Sequence, residues 1–264
     1  MKFSVYQRTE QGGRKKNEDR MGYVYTPQSA LFVVTDGMGG HANGDLAAQI
    51  AIETLTELFS SQAHPILTDA SEFLSKGVLQ AHHQILHFSN ERGMSDAPRT
   101  TLVALLLQEG RATWVHCGDS RLYWLRDGGL VKRTLDHSYA EQNPYGDNAS
   151  ADYLAKVTNR NVLFTCLGSP SKPIFDVSPS VPVQHGDKFL LCSDGLWGDL
   201  TDKEMINMLG STTVVQSVPR LIDLALQRGG PYCDNVTGIG IEWLEAGLHK
   251  AADKTMIKKL VFKS

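Results

Sequence analysis

Four aspartates stand where apolar, strand-like runs stop or start: Asp36 in VVTDGMGGHANG, Asp119 in CGDSRLYW, Asp194 in KFLLCSDGLWG and Asp234 in PYCDNVTGIGIEW. Singly, each reads as a turn residue, because Asp and Gly favour tight reversals. Together they suggest another chemistry. Adjacent strands of one sheet bring their ends together, and carboxylates gathered there repel one another unless a cation neutralises them. An all-oxygen donor set selects Mg²⁺ or Mn²⁺ over zinc. Spacing alone does not prove that the four converge. RKKNEDR, residues 14–20, adds Arg14, Glu18 and Asp19 just before another strand-like run. Alone it is a charged loop; beside a metal cluster, Arg14 would offer a planar fork for phosphate oxygens while the two acids held metal-bound waters. The glycines after Asp36 do not make a nucleotide loop: no Gly-Lys-Ser/Thr follows, and Gly37, Gly39 and Gly40 lack the dinucleotide spacing. A further reading makes Asp36 a metal ligand and has Gly37 let its own carbonyl approach the same ion, which requires carboxylates from elsewhere in the chain. HHQILH places His83 and His87 four apart on a helix but supplies no third ligand, so an exposed helix face is expected there.

The elements that must position these groups follow from hydrophobic periodicity. Strands are expected at about residues 3–8, 20–26, 30–35, 100–107, 111–117, 120–126, 187–193 and 236–243. A helix begins at Gly44, with Asp45 placed to favour its N-terminus, and a second covers about 66–90. Grouped helices between strand blocks and short strand links predict an α+β fold with sheets inside and helices outside. Residues 140–160 are polar, with Pro144, Gly146 and Asn148, and read as a surface insertion carrying one short helix. From Leu244 onward, Leu248, Ala252, Met256 and Leu260 recur at helical spacing among lysines, predicting a basic amphipathic final helix packed on the domain. A docking or membrane-surface helix is the rival reading.

Bulk properties narrow the classes. The 264 residues, 41% hydrophobic and 21% charged, suit one globular domain and exclude a disordered or fibrous chain. A net charge of −3 gives no electrostatic reason to expect nucleic acid or acidic lipid. Cys117, Cys166, Cys192 and Cys233 are widely spaced without a Cys-x-x-Cys pair, as expected of free thiols in a reducing compartment. No run is long and apolar enough to span a bilayer, and MKFSVYQRTE lacks the build of a signal peptide, so a cytoplasmic protein is expected, monomeric by default.

RKKNEDR, VVTDGMGGHANG, RTTLVALLL, HCGDSRLYWLRDGGL, LDHS, FLLCSDGLWG and CDNVTGIGI occur in the order and approximate spacing of the metal-dependent protein Ser/Thr phosphatases of type 2C, the PPM family, which the chain resembles in its compact bacterial form. The resemblance covers about residues 3–243. It implies a catalytic domain over 1–243 with a flap-like insertion at 140–160, and says nothing of the 244–264 tail. The implied fold is a four-layer α-β-β-α sandwich of mainly antiparallel sheets. Asp36 matches a bridging metal ligand, with the Gly37 carbonyl on one metal; Asp194 and Asp234 match ligands of the other. Glu18 and Asp19 match the acidic pair holding metal-bound water, Asp119 a carboxylate of a third, weaker site, Arg14 the phosphate-binding arginine and His41 the general acid. The implied cofactors are two Mn²⁺ or Mg²⁺ ions. The implied reaction is hydrolysis of phosphoserine or phosphothreonine by a metal-bridged water, with a bacterial Ser/Thr kinase or its targets as the phosphorylated partner. Arg99 departs from the family's usual glycine before Thr100 and Thr101, without removing a ligand. A non-enzymatic phosphoprotein-binding module is the rival, but it gains little from a costly carboxylate cluster. A metal-dependent nuclease would want a basic surface that the overall charge does not suggest.

Overall fold

Residues 30–34 divide strictly by parity. Leu31 and Val33 join one buried apolar cluster, Ala30, Phe32 and Val34 another. Residues 189–192 do the same, with Phe189 and Leu191 on one side and Leu190 and Cys192 on the other. Strands covered on both faces read as continuous apolar runs, not as polar-apolar alternation. Three stacked apolar layers require four layers of structure.

The computed structural model describes residues 1–38, 43–141, 162–244 and 258–262. In chain order these form β1 (Lys2–Glu10), β2 (Arg20–Tyr25), β3 (Ser29–Thr35), α1 (Gly44–Gln62), α2 (Ala70–Glu91), β4 (Leu102–Gln108), β5 (Arg111–Cys117), β6 (Arg121–Arg126), β7 (Gly129–Arg133), β8 (Asp176–Val177), β9 (Val181–Pro182), β10 (Lys188–Cys192), α3 (Asp194–Trp197), α4 (Asp202–Ser211), α5 (Val214–Gly229), β11 (Val236–Leu244) and β12 (Lys258–Phe262). One sheet runs β1-β11-β10-β6-β7, the other β12-β2-β3-β4-β5-β8 with β9 also on β5. Every strand pairing is antiparallel.

The middle core lies between the sheets, with Phe32, Leu105, Trp114, Phe189 and Ile241. Helices α1 and α2 cover the outer face of the second sheet through Ile52, Leu55, Phe59, Leu74 and Ile85. Helices α3 to α5 cover the first through Leu196, Met205, Leu209, Val218 and Leu221. Each such fully buried side chain contributes about 1.5–3 kcal/mol of transfer free energy. This is the expected α+β sandwich with helices outside.

Besides the short α3, β8 and β9, the helices α4 and α5 and strand β7 were not evident in the sequence. The Thr201 hydroxyl and Glu204 form a capping box at the start of α4, a signature readable as Thr-x-x-Glu. Pro219 lies inside α5 and interrupts its apparent helical pattern. Strand β7 is mostly exposed, so its apolar signal is weak. Asn43, with φ 68, holds the cap position of α1, while Asp45 lies in the first turn, where an acid favours the N-terminus as expected, and binds Lys16 at 2.5 Å. The tail also differs from expectation. Over Lys258–Phe262 the predicted amphipathic helix is replaced by β12, which pairs with β2. A free β2 edge would expose a row of unpaired backbone groups, and satisfying them outweighs a weak helical period. Residues 245–257 lie outside the described residues, as does the 140–160 insertion except Ala140 and Glu141. No helix among the described residues is long and apolar enough to cross a membrane.

Candidate metal centre

Strand register brings the predicted acids to one end of the sandwich. Thr35, the last residue of β3, pairs with Arg20, the first of β2, so Asp36 and Asp19 sit side by side beyond that pair. Cys192 pairs with both Gly238 and Arg121, which brings Asp194, Asp234 and Asp119 to the same end. Arg14, Glu18, Asp36, Gly37, Asp119, Asp194 and Asp234 all line one cavity of about 560 Å³. Asp19 is buried just behind it, 1% exposed. His41 lies outside the described residues.

Backbone contacts fix each group. The Asp36 carbonyl accepts from the Thr101 amide at 2.9 Å and the Thr100 hydroxyl at 2.8 Å. A Cβ on Gly37 would fall 2.6 Å from the Gly44 carbonyl oxygen and 2.8 Å from that of Glu18, so only glycine lets these segments meet. Asp194 opens α3, and its carbonyl accepts from the Gly198 amide at 2.7 Å. Trp197 Nε1 donates to the Asp119 carbonyl at 3.0 Å. Asn235 accepts from the Glu18 amide at 2.8 Å and donates to the carbonyls of Gln11 and Lys16 at 2.8 and 3.0 Å, tying the 11–18 loop to β11. Ser193 Oγ donates to Asp19 Oδ2 at 2.7 Å. Asn235 and Ser193 were inside the sequence motifs, but nothing in their type or spacing announced these roles.

The electrostatics are those of acids short of cations. Burial, then the neighbouring Asp19 and Asp194, hold the Asp36 carboxyl well above its ordinary range. Burial and Asp194 do the same to Asp119. Asp194 is pushed up to about 6 by burial and Asp234, although a hydrogen bond with Asp36 opposes the shift. Asp19 rises to about 7, chiefly by burial. Arg14 Nη2 meets Asp234 Oδ2 at 2.5 Å, and its own pKa is raised by that bond. Asp19 Oδ1 is buried with no hydrogen-bond partner. Arg14, Lys15 and Lys16, the last already paired with Asp45, against six carboxylates, together with an orphaned buried oxygen and an oxygen-only donor set, fit divalent cations of the Mg²⁺ and Mn²⁺ type.

A second group with metal-type side chains behaves differently. His116, His137 and Asp176 place one donor atom each within 4.8 Å of one another. Yet the Gly118 amide donates to His137 Nδ1 at 3.2 Å, which leaves the proton of a neutral ring on Nε2, facing Asp176 Oδ2 at 3.4 Å. A metal would need that occupied lone pair. The two imidazoles stack at 4.4 Å and 19°, and His116 Nε2 donates to the Leu135 carbonyl at 2.7 Å. Their role is a strut between the 117–120 turn and residues 135–138. His83 and His87 are exposed on α2, and all four cysteines are free and buried.

Comparison with known proteins agrees with this architecture. The family model for protein phosphatase 2C matches residues 8–223. The chain is 33% identical over 228 residues to the serine/threonine protein phosphatase PstP of Mycobacterium tuberculosis, covering 85% of this chain but 41% of that protein. It is 30% identical over 239 residues to the serine/threonine phosphatase stp of Listeria monocytogenes, covering 89% of this chain and 94% of the relative. Among solved structures, that of the Mycobacterium tuberculosis phosphatase PstP/Ppp superposes with a TM-score of 0.76 at 31% identity, over 92% of this chain and 99% of the other. The catalytic domain of PstP in complex with two manganese ions superposes at 0.74 with 30% identity, over the same 92% and 99%. With the matching family model spanning most of its length, this chain belongs to the protein phosphatase 2C family.

Proposed function

We propose that this chain hydrolyses phosphoserine and phosphothreonine in proteins, using two Mn²⁺ or Mg²⁺ ions and a third held more weakly. The observation that carries the reading is the under-neutralised carboxylate cavity with Arg14 beside it. Asp36 would bridge two ions, with the Gly37 carbonyl on one and Asp194 and Asp234 on the other. Asp119, with Asp194, would hold the third. Glu18 and Asp19 would orient water around them, and the orphaned Asp19 Oδ1 supports that role. Bound there, the ions would activate water and offset phosphoryl charge.

The chain's own residues supply the rest. Arg14 presents a forked donor whose side chain is 54% exposed and free to turn from Asp234 to a phosphate. Asn235 holds the loop that carries Arg14, so the fork stays over the cavity. His41 would protonate the departing Ser or Thr oxygen. The natural partner is a phosphorylated protein, a Ser/Thr kinase or its targets. Four free, buried thiols support a cytoplasmic setting, and we take the chain as a monomer.

The test is hydrolysis of a phosphothreonine peptide by wild type and Asp194→Asn, titrated with Mn²⁺ after chelation. Metal-dependent turnover that the variant loses is expected. No turnover by folded, Mn²⁺-bound wild type would sink the enzymatic reading and favour phosphoprotein binding.

A further inference from the structure

One side chain touches both halves of the carboxylate cluster. Thr101 Oγ1 accepts from the Asp36 amide at 3.1 Å and lies 2.6 Å from Ser120 Oγ. Because Oγ1 already accepts from an amide, its own proton is free for Ser120, the residue after Asp119. The Thr101 methyl fills a hollow on the other side of that turn: a Cβ on Gly118, where φ is +100, would sit 2.7 Å from Thr101 Cγ2. Thr101 and Ser120 are 2% and 1% exposed, so these bonds are largely shielded from bulk solvent. Thr101 also lines the cavity itself.

We infer that Thr101 is a positioning residue that sets the separation of Asp36 from Asp119 and thereby couples the two-ion centre to the weaker third ion. Its hydroxyl holds Asp36 and Ser120 together, and its methyl fixes the height of Gly118. Neither serine nor valine does both. Loss of the hydroxyl leaves the part-buried Asp36 amide and the buried Ser120 hydroxyl without their partner, and the two acid-bearing segments lose their common anchor. The inference rests on the ligand roles proposed above, but ion binding can be read without turnover.

The experiment titrates chelated, metal-free wild type, Thr101→Val and Thr101→Ser with Mn²⁺, following heat by calorimetry and free Mn²⁺ by electron paramagnetic resonance. Each protein is also melted in EDTA. Thr101→Val is expected to need about tenfold more Mn²⁺, as loss of a buried hydrogen-bonded link implies. Thr101→Ser, which keeps the hydroxyl, should stay within about threefold of wild type. Wild-type affinity in Thr101→Val, whatever its melting temperature, would overturn the inference by leaving only a structural role. So would equal weakening in the serine variant. Should Thr101→Val not fold, Ser120→Ala breaks the same link from the other end and must weaken the last Mn²⁺ step, or the inference fails. Wild type that binds Mn²⁺ yet hydrolyses nothing would refute the phosphatase reading and leave this one standing.

Discussion

Two groups of enclosed acids meet at the 119–121 turn, and they are built on opposite plans. Asp136 receives Arg121 Nε and Nη2 at 2.8 and 2.7 Å, while the same guanidinium stacks 3.5 Å over Trp197 and reaches Asp202 at 3.5 Å. Every charge there faces its opposite. Two residues away, Asp119 joins Asp36, Asp194, Asp234 and Glu18 around a cavity whose described lining offers Arg14, Lys15 and Lys16 as cations, Lys16 being already paired with Asp45. Burial alone therefore does not mark a site. What marks it is charge that the protein leaves uncompensated, because a structural cluster closes its bonds internally and a binding cluster leaves them for a ligand.

The sharpest way to break this contrast is to neutralise one acid in each group. Asp36→Asn is expected to lower kcat on a phosphothreonine peptide about 10³-fold, since metal-assisted charge stabilisation is worth several kcal/mol. It should also raise the melting temperature in EDTA, by roughly 2–4 °C for each kcal/mol of repulsion relieved. Asp136→Asn should do the reverse, costing roughly 3–5 kcal/mol in urea unfolding by stranding the buried Arg121, with kcat little changed where the protein is folded. If Asp36→Asn melted lower than wild type in EDTA, the distinction between the groups would be wrong.

A smaller effect sharpens it through pH. Asp194 and Asp19 are shifted up, to about 6 and about 7. Between roughly pH 4 and 7 the native chain thus keeps protons that the unfolded chain, with carboxyls near 4, has released. The unfolded state then binds fewer protons, and metal-free stability falls as pH rises through that window. Urea unfolding in EDTA at pH 5, 6, 7 and 8 should show the decline, and saturating Mn²⁺ should flatten it, with affinity increasing as protons leave. A level profile without metal would mean that the carboxylates do not crowd one another.

The smallest effects are expected where the side chain is exposed. Arg14→Lys should raise KM for phosphopeptide roughly 5–10-fold by losing the fork, with half-saturation by Mn²⁺ unchanged. Asp176→Asn should alter stability by about 0.5 kcal/mol or less and leave Mn²⁺ binding alone. A large change in Mn²⁺ stoichiometry on altering Asp176 would turn the imidazole strut into a metal site after all.

The acids of the site were legible because strand ends announce themselves: an apolar run that stops at Asp36 or Asp194 is visible in one sequence. Convergence was not legible, since it depends on register, such as Cys192 opposite Arg121 and Gly238. Asn235, Ser193 and Thr101 were hidden for a different reason. Their work is done through backbone amides and carbonyls of distant segments, and no side-chain pattern records that. The layered fold was readable from continuous apolar strands and two periodic helices, whereas α5 was masked by Pro219 and β12 by lysines whose spacing imitates a helix face.

The pairing of β12 with β2 also decides how the molecule can be held. Phe262 lies opposite Met21, two residues from Asp19, so β12 ends at the same end of that sheet as the acids. Lys2, opposite Leu244, starts at the far end, where the Met1 ammonium donates to the Pro27 carbonyl at 2.9 Å. A tether, tag or fluorophore attached behind Phe262 would start from the end of the sheet that carries the acids, the side from which the proposed phosphoprotein substrate would approach. One attached at Met1 would leave it clear, which makes the N-terminal side the one to anchor when binding is measured on a surface.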